Sequence, residues 1–145
     1  MRERVLNDLI AAMKNQEKDK LLVIRSLKSA IQLEEINLKR NLNDDEVINV
    51  ISKQIKTRKE SILEFEKGNR NDLIEVTKNE IKILEEYLPE PLTKEEIEIL
   101  INKAFEEVKP TSIKEMGKIM AYITPLVRGK ADISDISKIV KERLN

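Results

Sequence analysis

Apolar residues recur along this chain at intervals of three and four, the spacing of an amphipathic helix. No segment alternates with the period of two that a half-buried strand requires. Val5, Leu6, Leu9, Ile10 and Met13 predict a first short helix, and Leu21, Ile24, Leu27, Ala30, Ile31 and Leu38 a long second one. A third opens at Asn43, where Glu46 stands three residues on and completes a capping box, in which two side chains satisfy each other's free backbone N–H groups. It continues through Val47, Ile51, Ile55, Ile62 and Phe65 and stops near Gly68. The fourth opens at Asn71, with Asp72 at the positive end of the helix dipole. It runs to Tyr87 and ends before Pro89, because the residue preceding a proline avoids helical backbone.

Pro89 and Pro91 make a stiff joint. Thr93 with Glu96 forms a second capping box, opening a fifth helix through Ile97, Leu100, Ile101 and Phe105. Ser112 with Glu115 predicts the start of a sixth. Gly129 is its left-handed stop, or the stop of a short extension after Pro125. Asp132 caps a seventh, which presents Ile133, Ile136, Val140 and Leu144 on one face. The expected fold class is all-α. An N-terminal bundle of long helices, residues 1–89, is joined to a C-terminal three-helix unit, residues 93–145. Short connections make the second, third and fourth helices antiparallel.

Polar residues on apolar faces are the informative positions. At about 100° per residue, Arg58 falls inside the arc of Ile51, Ile55, Ile62 and Phe65. Glu80 falls at the centre of the arc of Leu73, Val76, Leu84 and Tyr87. A lone buried charge is prohibitive and a hydrogen-bonded pair is tolerable, so Arg58 and Glu80 are expected to meet as a buried pair between two helices. Glu34, on the apolar side of the second helix, is an alternative or additional partner. The pair either sets helix register or lines a polar pocket. Gly117 sits among Ile113, Met116 and Met120, where glycine costs about 1 kcal/mol relative to alanine. Close approach of a neighbouring helix would explain it.

Composition narrows the chemistry. With two Phe, two Tyr and no Trp, aliphatic side chains must fill the core. The absence of Cys and His removes disulfides, thiol nucleophiles, imidazole bases and nearly all zinc chemistry. A site built from Met116 and Met120 alone is a poor metal ligand set. No metal and no cofactor are expected. The mixed charge of the first fifteen residues is unlike a signal peptide, and no apolar run approaches the ~18 residues of a membrane span. A soluble cytoplasmic protein is the expectation. The chain is neutral overall but unevenly so: residues 43–108 hold ten basic and seventeen acidic groups, residues 109–145 eight and four. Only the last stretch offers an electrostatic footprint for nucleic acid. Lys53, Lys56 and Lys59 form an outer stripe on the third helix, read either as a phosphate contact or as a solvated face.

The run Lys56, Arg58, Lys59, Ser61, Gly68, Arg70, Asp72, Leu73, Glu80 and Tyr87-Leu88-Pro89 resembles the signature of the YqeY family. Leu22, Arg25, Leu27, Ala30 and Glu35 match the family's early helical pattern. Met116-Gly117-Lys118, Met120, Gly129-Lys130-Ala131-Asp132, Val140 and Leu144 resemble the tail of the B subunit of the tRNA-dependent amidotransferase. The resemblance implies a helical N-terminal part joined to a three-helix C-terminal part. It also implies a link to tRNA through the tail, whereas the amidotransferase's chemistry lies in parts with no counterpart here.

Three readings follow. The leading one is a non-catalytic helical adaptor engaging tRNA or tRNA-handling proteins. Its candidate phosphate-contacting residues are Lys114, Lys118, Arg128, Lys130, Lys138 and Lys141. The second is a protein-interaction module without RNA binding, favoured by zero net charge and few aromatics for base stacking. The third is a carbon–nitrogen ligase with glutamine as amido donor, for which Glu34, Glu80 and Lys56 are the only conceivable cluster.

Overall fold

The computed structural model covers residues 1–145 and contains seven α-helices and no strand. They are α1 (Arg2–Lys14), α2 (Lys18–Leu38), α3 (Asp44–Lys67), α4 (Asn71–Glu85), α5 (Lys94–Val108), α6 (Met116–Val127) and α7 (Ile133–Leu144). A single 3₁₀ turn, Ile113–Glu115, leads into α6. The chain divides into two compact units, Met1–Leu88 and Pro89–Asn145.

In the first unit α3 packs along α4, α1 along α2, and α2 touches both α3 and α4. The core is aliphatic: Val23, Ile24, Leu27 and Ile31 from α2, Val47, Ile51, Ile55 and Ile62 from α3, and Ile74, Ile81 and Leu84 from α4. Each such side chain contributes roughly 1.5–3 kcal/mol on full burial. The second unit has its own core of Ile101, Ala104, Ile119, Ile123, Val127, Ile136 and Val140. Two capping boxes fix helix starts. The Asn43 side chain accepts from the Glu46 N–H at 2.9 Å, and the Thr93 hydroxyl accepts from the Glu96 N–H at 3.2 Å.

Several local expectations change. In α1 the buried face is Val5, Leu9 and Ala12, and Ile10 and Met13 are exposed. In α4 the buried face is Ile74, Thr77, Ile81 and Leu84, and Val76 is exposed. The α4 face is rotated because Thr77 enters the core: its hydroxyl donates to the Leu73 carbonyl at 2.7 Å, so no polar group is left unpaired. Ser112 makes no side-chain cap. The Glu115 carboxylate instead accepts from the N–H of Thr111 and, at 3.2 Å, from its hydroxyl. Helix α6 continues through Pro125 and ends at Val127, and Gly129 then takes φ 75°. Glycine adopts that left-handed backbone without the Cβ clash other residues suffer.

Gly117 is not where a helix approaches closely. A Cβ there would meet nothing within 4 Å, and the residue is exposed in the first turn of α6. Its cost is therefore uncompensated by packing. Gly117→Ala is expected to stabilise the protein by about 0.5–1 kcal/mol, read as a higher denaturant midpoint at unchanged slope. A destabilised variant would show that the position serves a contact the fold does not reveal.

Candidate functional site

Helices α3 and α4 bring Arg58 and Glu80 together. Arg58 Nε donates to Glu80 Oε2 at 2.8 Å, and its Nη1 donates to the Gln54 side chain at 2.8 Å and the Gln54 carbonyl at 3.3 Å. The side chains are 15% and 32% exposed. The pair is thus half-buried at the edge of the α3–α4 seam, not enclosed within it, because the rotation of α4 moves Glu80 off the centre of the buried arc. Glu34 is exposed on α2 and takes no part; its neighbour Glu35 is the partly buried carboxylate, 11% exposed. Arg2 holds Glu35 through two hydrogen bonds, 2.6 and 3.2 Å, and the Leu42 N–H adds a third at 2.9 Å. Those bonds, that of Arg2 foremost, hold the Glu35 carboxyl below the usual carboxylate range.

A second cluster, absent from the sequence reading, closes α1 onto the end of α4. Tyr87 is buried, and its hydroxyl donates to Asp8 Oδ2 at 2.6 Å. The Arg4 guanidinium lies 4.7 Å from the Tyr87 ring centroid and donates to the Glu86 carbonyl at 3.1 Å. Burial, followed by the bond to Asp8, pushes the phenol well above its ordinary value, so it remains a neutral donor. The only sequence signal was a polar-tipped aromatic in an apolar arc; Asp8 lies 79 residues away.

The candidate ligase set does not assemble. Glu34 and Lys56 are exposed with no bonded partner, and Glu80 is held by Arg58. Lys53 and Lys59 are exposed beside Lys56 on the outer side of α3. Nowhere do three or more Asp or Glu residues gather in a group that could hold a metal ion. No helix is long and apolar enough to cross a membrane. The larger of two surface hollows, about 550 Å³, lies beside α3 alone. The smaller, about 280 Å³, lies between α2 and α4 and is lined by Asp19, Leu22, Glu75, Val76, Asn79 and Glu80.

The basic candidates all lie in the second unit. Lys114, Lys118, Lys130, Lys138 and Lys141 are exposed. Lys118 approaches Glu115 at 3.7 Å, and Arg128 is half-buried and not a free cation. The turn that carries Arg128, Gly129 and Lys130 is fixed at both ends. The Lys130 N–H donates to the Val127 carbonyl at 2.8 Å, and the Lys130 carbonyl accepts from the Leu92 N–H at 2.9 Å. The N-terminus of α7 is not open to an anion, because the Asp132 carboxylate already accepts from the Ser134 N–H at 2.8 Å. Arg143 stacks on Phe105, 4.4 Å from the ring centroid, and is engaged within the unit.

Comparison with known proteins decides the family. The family model described as Yqey-like protein matches residues 2–144. The chain belongs to the YqeY-like family. A relative in Pyrenophora tritici-repentis, named altered inheritance of mitochondria protein 41, mitochondrial, is 30% identical over 142 residues, covering 96% of this chain and 78% of the relative. Its namesake in Kluyveromyces lactis is 42% identical over 81 residues, 55% of this chain and 44% of the relative. An uncharacterized protein of Schizosaccharomyces pombe, C22F3.15, is 34% identical over 82 residues, 57% of this chain and 67% of the relative. The chain spans about half the length of the Kluyveromyces relative. The expectation of a cytoplasmic protein is overturned by the Pyrenophora and Kluyveromyces relatives, which are named as mitochondrial proteins. Composition and the first fifteen residues carry no information that could have anticipated this.

Two measurements test the electrostatics of the first unit. Glu80→Ala is expected to cost about 1–2 kcal/mol by chemical denaturation, because it strands a half-buried guanidinium. Unchanged stability would show that the pair contributes nothing. Glu46 is bound by two hydrogen bonds from Arg40, at 2.7 and 2.8 Å, and by the Asn43 N–H. The Arg40 bonds, aided by the Asn43 N–H, pull its carboxyl down to about 2. A depressed folded value means that the stabilisation is present above the ordinary carboxylate value and is lost as pH falls through about 2. Carboxyl NMR should place the Glu46 midpoint near 2 and move it upward in Arg40→Ala; a midpoint at the ordinary value in the intact protein would contradict the geometry.

Proposed function

We propose that this YqeY-like protein is a non-catalytic helical adaptor that engages tRNA, or proteins that handle tRNA, through the basic surface of its second unit. The observation that carries the reading is the pinned turn at Arg128–Lys130. Gly129 at positive φ and the bond from Leu92 to the Lys130 carbonyl hold a lysine in open solvent on a fixed backbone. Lys118 on α6 adds a second exposed cation, only loosely held by Glu115. Such groups contact phosphate and position a nucleic acid without reading its bases. The resemblance of this segment to the tail of the tRNA-dependent amidotransferase B subunit supports tRNA as the ligand class. Glu80 is held by Arg58, and Glu34 and Lys56 are exposed without a bonded partner, which favours binding over ligase chemistry.

Contacts fall to side chains, since Asp132 occupies the α7 N-terminus, so the interaction is weak and salt-sensitive. Two contacts from Lys118 and Lys130, with Arg128 beside them as a positioning residue, predict a shallow log–log salt slope of about −1.5 to −2. Binding of unmodified tRNA by the intact protein at low salt is expected, and changing Lys118, Arg128 and Lys130 together to Ala should weaken it at least ~10-fold. Equal binding by the two proteins would remove this surface from consideration. No binding by either would favour the protein-interaction reading.

A further inference from the structure

Leu22 in α2 and Val76 in α4 are 66% and 57% exposed, yet they are not scattered surface residues. Both line the 280 Å³ groove between the two helices, with Asp19, Glu75, Asn79 and Glu80. Every ionisable group on that wall is a carboxylate. Glu80 is answered by Arg58, whereas Asp19 and Glu75 have no hydrogen-bond or ion-pair partner. Further exposed apolar side chains lie on the same side of α2, with two serines between them and Leu22 and the exposed cations Lys18 and Arg25 beside them. Leu33 and Ile36 are 60% and 71% exposed, and with Ser26 and Ser29 they extend Leu22 into a row at spacings of four, three, four and three. That is the seam by which helices pack against one another, and at 1.5 Å per residue it runs about 21 Å. It lies opposite the face that Val23, Ile24, Leu27 and Ile31 bury in the core.

We infer that this face of the first unit is a docking groove for an amphipathic helix of a partner protein, one whose apolar stripe is flanked by lysine or arginine. The acidic wall selects among occupants. It repels an anionic membrane surface and a nucleic acid. A second copy of this chain would bring the same carboxylates to the groove, and its exposed Lys18 and Arg25, on the same side of α2, make self-association the competing occupant that the test separates. A helix with flanking cations covers Leu22 and Val76 and sets its charge against Asp19 and Glu75, which supplies both burial and electrostatic complementarity. The inference is independent of the RNA reading, which concerns the other unit.

The test uses the full chain, isotope-labelled for NMR, and a designed amphipathic helical peptide of about eighteen residues, or five turns, with leucines along one stripe and lysines on its flanks. Saturable shifts are expected at residues 19, 22, 75, 76 and 79. Leu22→Glu with Val76→Glu should weaken binding at least ~10-fold, and because both side chains are exposed the variant keeps its circular dichroism and thermal midpoint. Asp19→Asn with Glu75→Gln should weaken binding several-fold and flatten its salt dependence. A peptide with glutamate in place of the lysines should bind at least ~10-fold more weakly. Absence of saturable shifts at these residues, or full affinity in the Leu22→Glu, Val76→Glu variant, overturns the inference. So does a dimer of the chain alone, seen by sedimentation, that the same variant dissolves.

Discussion

The mating of the aliphatic faces of α3 and α4 is the constraint on which the first unit depends. Ile51, Ile55 and Ile62 on one helix and Ile74, Ile81 and Leu84 on the other are all buried, and the loop between the helices is short. With so few aromatics, the seam is held by branched aliphatic side chains whose rotamers are limited, and it tolerates little rotation of either helix. That rotation decides where every charged group goes. It places Glu80 within reach of Arg58 at the seam's edge, turns Val76 outward to meet Leu22, and delivers Tyr87 to Asp8 and Arg4 at the end of α4.

Much of this was legible in the sequence, and what was missed has common causes. Helix existence and the caps at Asn43, Thr93 and Asp132 were readable because they depend on residues at most three apart. Helix phase was harder. Taking Leu73, Val76, Leu84 and Tyr87 as the arc put Val76 on the core side of α4, whereas the buried face includes Thr77, a residue that buries at little cost by bonding its own backbone. Choosing Glu34 over Glu35 was an error of one position, or about 100° of rotation. The side chain that Glu35 needs, Arg2, lies on another helix. Gly117 was read as a packing device, yet it faces open space. The Tyr87–Asp8–Arg4 cluster joins residues too distant in sequence for any local pattern to signal it.

The two units differ in how their charges are placed. In the first, the best-bonded charges stand in structural pairs: Arg2 with Glu35, Arg40 with Glu46, Arg58 with Glu80, Arg70 with Asp72. Beside these pairs lies an apolar groove with two unanswered carboxylates. In the second, Lys114, Lys130, Lys138 and Lys141 are exposed and unpaired, and one of them sits on a turn whose backbone is fixed. Neither surface carries an assembled nucleophile, acid–base pair or metal-ligand group. The mitochondrial names of the fungal relatives describe those proteins' setting.

The central claim is that the second unit meets RNA in the cell. Ultraviolet cross-linking of the intact protein in the cells that make it, followed by mass spectrometry of the nucleotide-bearing peptides, addresses that claim most directly. The account predicts tRNA-derived adducts on peptides spanning Lys118 and Arg128–Lys130, with none on the peptides that carry Asp19, Glu75 and Val76. Adducts confined to the first unit, or an absence of RNA adducts under conditions that capture known RNA-binding proteins, would contradict it.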